Sequence, residues 1–142
     1  MARVKLDLPE ELPFSSEVPI RISDINYGGH LGHDAILPLA HEARIKFLEH
    51  FGYSEMDIEG VVFLMADAVI IYKSQAYHGQ ILKIDIGVRD FTRSACDFIY
   101  RLSNNETGTE IALVKTGMVF WDYRAEKTAR VPEGFKAKFS IG

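Results

Sequence analysis

The sequence predicts one α+β domain in which a single long amphipathic helix packs against a curved antiparallel sheet. Three observations predict it. Only one segment, from about Ala35 to Phe51, carries apolar residues at helical spacing. After Gly60 the apolar period becomes two, and it stays so through four long segments. Finally, a chain of 142 residues, 47% hydrophobic and 25% charged, suits one well-buried core rather than two. Area scaling gives about 7,400 Å² of folded surface against roughly 23,000 Å² unfolded, so cross-links are not needed for stability.

The elements follow in order. Val18, Ile20 and Ile22 alternate with Pro19, Arg21 and Ser23, which predicts a short strand, with Pro19 at an edge or a strand start. Asp24 to Asp34 is rich in glycine and histidine and reads as a loop. The helix then runs with Ile36, Ala40, Ala43, Phe47 and Phe51 on one stripe and Leu37 and Leu48 beside it, while Arg44, Lys46, Glu49 and His50 mostly face elsewhere. Pro38 must occupy its first turn or kink it, and Gly52 is placed to end it. Val61 to Tyr72 is nearly continuous apolar, as in a strand covered on both faces by the helix and a partner subunit. Leu82–Arg89 and Cys96–Leu102 alternate cleanly, Asn104, Asn105 and Gly108 mark a hairpin, and Ile111–Tyr123 is the last long strand. No repeat or second composition interrupts residues 1–142, which are expected to form one domain.

Charge and cysteine content exclude several classes. Sixteen Lys and Arg against twenty Asp and Glu give a net charge of −4, the wrong sign for a dedicated nucleic-acid binder. The balance is uneven: residues 1–60 carry five basic and eleven acidic side chains, residues 61–142 eleven and nine. A phosphate-bearing ligand would therefore be met by the second half. Cys96 is the only cysteine, so an intramolecular disulfide and a Cys-based zinc site are both excluded. Residues 1–13 lack the apolar core of a signal peptide, and Asp67 interrupts the longest apolar run, which is too short to span a bilayer. A reduced, cytoplasmic setting without a transmembrane segment is expected.

The chemistry is concentrated in Asp24-Ile25-Asn26-Tyr27-Gly28-Gly29-His30-Leu31-Gly32-His33-Asp34. Gly28, Gly29 and Gly32 let the backbone approach a ligand and lead into a helix start. Unpaired N–H groups there suit a developing oxyanion. Histidines beside them can serve as general base or acid near neutral pH. A structural loop with Asp34 as N-cap explains the same residues without chemistry. His30, His33 and His41 with Asp34 or Glu42 match no metal spacing, so no metal is expected.

Three segments together resemble a known family. They are Ile20-Arg21-Ile22-Ser23-Asp24-Ile25-Asn26 through His30-Leu31, then Glu42-Ala43-Arg44 with Phe47-Leu48, and then Tyr72-Lys73-Ser74-Gln75-Ala76-Tyr77-His78-Gly79 with the strand after it. Over about residues 17–123 the chain resembles the hotdog-fold acyl-CoA thioesterases, closest to the 4-hydroxybenzoyl-CoA and Tol-Pal-associated branch. The resemblance implies a sheet wrapped around a central helix and a homodimer or homotetramer with active sites at the subunit interface. It implies an acyl-CoA or acyl-carrier thioester substrate and no cofactor beyond the arm of that substrate.

Carried over residue by residue, Asp24 matches the first aspartate of the family's loop pattern, and Asn26 stands where the catalytic aspartate is expected. An amide can orient a water or a carbonyl but cannot take a proton or form an anhydride. His33 matches a histidine of the Tol-Pal-associated members, and its N–H matches the donor that polarises the thioester carbonyl. His30 matches a histidine of related thioesterases. Glu42 matches a helix acid that also suits a structural pairing with Arg44 or Arg21. The expected catalytic set is thus Asn26, His33, His30, Asp24 and Glu42, with Gly32, Asp34 and Tyr72 binding substrate. Two alternatives share the loop. Asp24-Ile25-Asn26 followed by His30 resembles the loop of hotdog enoyl-CoA hydratases, with the proline missing and the histidine one residue late. A non-catalytic acyl-CoA-binding protein would keep the fold and lose the carboxylate.

Overall fold

The computed structural model describes residues 2–140. Strand β1 covers Phe14–Pro19, helix α1 Ile36–His50, β2 Val62–Tyr72, β3 Ile81–Arg89, β4 Ala95–Asn104 and β5 Glu110–Asp122. A two-residue strand β6 (Lys127–Thr128) and a short helix α2 (Glu133–Phe139) complete it. The sheet is antiparallel in the order β1-β3-β4-β5-β2, with β6 on β5, and α1 packs across β1 and β3. One long helix held in a curved sheet is the predicted architecture.

Helix α1 forms for the expected reasons. Ile36, Leu39, Ala40, Ala43, Phe47 and Leu48 make a buried stripe at i, i+3, i+4, i+7 spacing. Pro38 sits at the third helical position, where its missing N–H has no intrahelical acceptor in any case. The helix ends in a Schellman motif. Gly52, at φ 83°, donates to the Glu49 carbonyl and Tyr53 to that of Leu48. A single tight turn from His33 to Ala35 leads into it from the glycine loop. Phe47 anchors the core, with its ring centroid 5.5 Å from Phe98 on β4 and 5.0 Å from Phe139 on α2.

Two expectations are corrected. The first strand lies earlier than its alternation suggested, because the Asp24 carboxylate accepts the Arg21 N–H at 2.8 Å and winds residues 22–24 into a turn. Ile22 is left exposed outside the sheet. Arg44 does not face solvent: it is buried on the core stripe. Its Nε donates to Glu55 Oε1 at 2.8 Å and its Nη1 to the Tyr100 hydroxyl at 2.9 Å. Tyr100 in turn shares a 2.7 Å hydrogen bond with Thr116, so this arginine ties α1 to β4 and β5. Within one chain, strand β2 is left open over part of its length. It is the edge strand after β5, and Leu64 to Ala68 are exposed. The C-terminal helix was not foreseen, although Phe135 and Phe139 are buried in the core at the spacing of one helical turn.

Candidate active site

The loop that carries the candidate residues is built by its own polar groups. Asp24 is buried, and its carboxylate faces Arg21, accepting the backbone N–H at 2.8 Å and the guanidinium at 3.5 Å. Its main-chain carbonyl accepts the Gly32 N–H at 2.9 Å, closing the loop at its base. Asn26 Oδ1 accepts two backbone N–H groups, from Gly28 at 3.0 Å and His30 at 3.2 Å, and the Asn26 N–H donates to the His30 carbonyl at 2.8 Å. Two N–H donors fix the orientation of the amide, because only its oxygen can accept. The amide nitrogen of Asn26 has no partner among the described residues. Gly29, at φ 85°, makes the turn at the tip. The Leu31 N–H donates to the Ala76 carbonyl at 2.8 Å and pins the loop to the segment after β2.

These contacts open a pocket of about 220 Å³ at the start of the helix. Asn26, His30, Gly32 and His33 line one side, Tyr72 to Gln75 the other, with Ile36 and Ile111 among its apolar residues. As the first residues of the turn, His33 and Asp34 have N–H groups with no acceptor inside it. The His33 ring lies against Tyr72, centroids 4.3 Å apart, and His30 packs edge-on to Tyr77 at 5.5 Å. A side chain on Gly32 would require Asp34 to move. A Cβ on it would lie 2.5 Å from Asp34 Oδ1 and would project between Asn26 and the Asp24 carbonyl.

The structure therefore brings together Asn26, His30, Gly32, His33 and Tyr72. It does not bring in the rest. Asp24 points to Arg21, and Asp34 caps nothing: the cap position belongs to Gly32, and no side chain bonds there. Glu42 is exposed on α1, lines no part of the pocket and pairs with neither Arg44 nor Arg21. Arg44 takes Glu55 instead, and His41 Nε2 also donates to the Glu55 carboxylate at 2.9 Å. Among the described residues no group of three or more His, Cys, Asp or Glu is placed to hold a metal ion. Lys73, Ser74 and Gln75 line the pocket without having been singled out as site residues. The signal for them was present in the Tyr72–Gly79 segment that carries part of the family resemblance.

The decisive comparison is with protein-family models. Residues 20–139 match the model of the thioesterase-like superfamily. The chain belongs to that superfamily. A search of curated proteins gave no match. Among solved structures, a 1,4-dihydroxy-2-naphthoyl-CoA thioesterase from Synechocystis is similar with a TM-score of 0.81 and 19% identity, over 89% of this chain and 94% of that one. A DHNA-CoA thioesterase from Staphylococcus aureus gives 0.76 and 19%, over 87% and 84%. A hypothetical protein from Thermus thermophilus gives 0.78 and 22%, over 89% and 96%. These likenesses establish the hotdog fold. No helix among the described residues is long and apolar enough to cross a membrane.

Proposed function

We propose that this protein hydrolyses an acyl thioester, of coenzyme A or of a carrier arm, to the free acid and the thiol. One observation carries the reading. The free His33 N–H at the helix start, the Asn26 amide and two imidazoles line a single pocket, which supplies both donors for a thioester carbonyl and a base.

The steps follow from that arrangement. The carbonyl oxygen is held by the His33 N–H, with the Asp34 N–H as the next free donor in the turn, so negative charge developing on it meets unpaired donors. Asn26 acts only as a donor, because its oxygen is occupied within the loop; its NH₂ orients the carbonyl or the attacking water. His33, or His30 behind it, takes the proton as the water oxygen bonds to the carbonyl carbon. The C–S bond then breaks, and the sulfur leaves as a thiolate with little help, since thiols ionise far more readily than alcohols. Asp24 holds the loop in shape, and Tyr72 holds the His33 ring.

We further propose that the active unit is a homo-oligomer joined through β2. An eleven-residue edge strand with Leu64, Met65, Ala66 and Ala68 exposed is a ready template for a second copy. The chain exposes 8433 Å². That is about 1,000 Å² above the area scaling for its mass, roughly the share one subunit buries in a stable interface.

Steady-state turnover of a panel of acyl-CoA and enoyl-CoA esters is the test. Hydrolysis by the native protein with a loss of about two to four orders of magnitude in kcat for His33→Ala is expected. Hydration of an enoyl-CoA without thiol release, or tight binding of CoA esters without turnover, would overturn it.

A further inference from the structure

We propose a second binding site, for the diphosphate of a nucleotide, on the face where the β3–β4 connection meets β6 and the segment leading into α2. Two adjoining cavities of about 560 and 250 Å³ lie there, and Arg93 and Arg130 line both of them. They form one groove with this pair of arginines at its waist. Lys136 lines the larger lobe and Lys127 the smaller. The arginines are held side by side by backbone bonds: the Val131 N–H donates to the Arg93 carbonyl at 2.8 Å, and the Phe120 and Ala129 hydrogen bonds, both at the Phe120 backbone, fix the flanks.

Charge makes the groove unusual. In a chain of net charge −4, four cations line this groove, and among the described residues Glu133 is the only acid that lines it. Among the described residues none of the four makes an ion pair, whereas Arg44, Arg101 and Lys115 all have carboxylate partners. All four are exposed, and an anion of three negative charges bound between them gains attraction from each, screened by salt. Paired guanidinium forks on adjacent backbone match two linked phosphates better than one. The larger lobe leaves room for the attached nucleoside.

This site is separate from the thioester pocket within one chain. Ile111 lines that pocket and Phe120 anchors this groove, nine residues apart on β5, on the order of 25–30 Å. The diphosphate can come from a free nucleoside diphosphate or from the adenosine diphosphate end of coenzyme A. Titration calorimetry with ADP at physiological salt tests the site on the full chain. One saturable site per chain is expected, weakened by added salt. Arg93→Ala and Arg130→Ala should each lower the affinity about tenfold or more, from the loss of charge-assisted hydrogen bonds. Displacement of ADP by coenzyme A assigns the site to the carrier, and undisturbed ADP assigns it to the free nucleotide; either outcome supports the groove. No saturable binding of either ligand would overturn the proposal. So would an unchanged affinity in the double variant, with folding verified by thermal melting and Arg130→Gln as a milder replacement. ADP binding involves no turnover, so its failure leaves thioester hydrolysis untouched.

Discussion

Asn26 is the residue whose structural and chemical roles can be separated by substitution. Its Oδ1 accepts two backbone N–H groups in an exposed loop, at 3.0 and 3.2 Å. A neutral hydrogen bond is worth about 0.5–1.5 kcal/mol net, and exposure favours the low end, so Asn26→Ala should cost about 1–2 kcal/mol. For a domain near this size that lowers Tm by roughly 3–6 °C. Asn26→Asp keeps both acceptor bonds, now charge-assisted, and should melt within about 2 °C of the native protein. What changes is the outer atom. The free NH₂ donor becomes a carboxylate oxygen in the pocket shared with His30 and His33. That oxygen can accept the water proton, so hydrolysis should be retained or increased. Thermal melting at fixed protein concentration and thiol release from acyl-CoA esters measure the two roles. An unchanged Tm in Asn26→Ala would refute the loop energetics. Abolished hydrolysis in a normally melting Asn26→Asp would refute proton acceptance at that position and show that a donor is required there.

Three further outcomes are expected. Burial pushes the Glu55 carboxyl up, but hydrogen bonds from Arg44 and His41 outweigh it and hold it below the ordinary value. The stability it contributes is therefore full above that ordinary value and lost as pH falls through the lowered one, and Glu55→Gln should flatten this part of an acid melt. Burial, reinforced by the charge of Asp97, pushes the Cys96 thiol up to about 12. The native chain should resist a thiol-reactive disulfide reagent and release one thiol on unfolding; between pH 9 and about 12 the unfolded chain ionises first, so stability falls with rising pH. Light scattering at micromolar concentration should give at least a dimer, and a strict monomer would remove the proposed β2 interface.

Periodicity made the helix and the long strands legible, because each has one face on the core and a whole stripe of residues reports it. Where a single polar contact decides, the pattern misled. Ile22 continues the alternation of Val18 and Ile20, yet the Asp24 carboxylate turns the chain before it. Arg44 reads as a surface charge because its partners, Glu55 and Tyr100, lie 11 and 56 residues away and no local rule connects them. Helix α2 spans only seven residues among Lys136 and Lys138, so Phe135 and Phe139 offered one turn of signal. The loop was recognisable as the candidate site from its composition, but its division of labour was not. Asp24 was expected in the catalytic set and Asp34 as an N-cap, and only the hydrogen bonds show that Asp24 holds the loop through Arg21 and that Asp34 caps nothing.

That division bears on how the loop would act chemically. A loop this rich in glycine has little intrinsic preference for one shape, and here its shape is fixed by Asp24 on Arg21 and Gly32, and by Asn26 on Gly28 and His30. Each of those acceptors is consumed in making the loop. Of the loop's free polar groups that line the pocket, two kinds are left: donors, from the His33 backbone and the Asn26 amide, and the imidazoles of His30 and His33. Among the polar side chains of the loop that line the pocket, only an imidazole can accept a proton at neutral pH. The proposed water-mediated hydrolysis therefore draws its base from these imidazoles, and of the two His33 is the one beside the free N–H groups, with its ring against Tyr72.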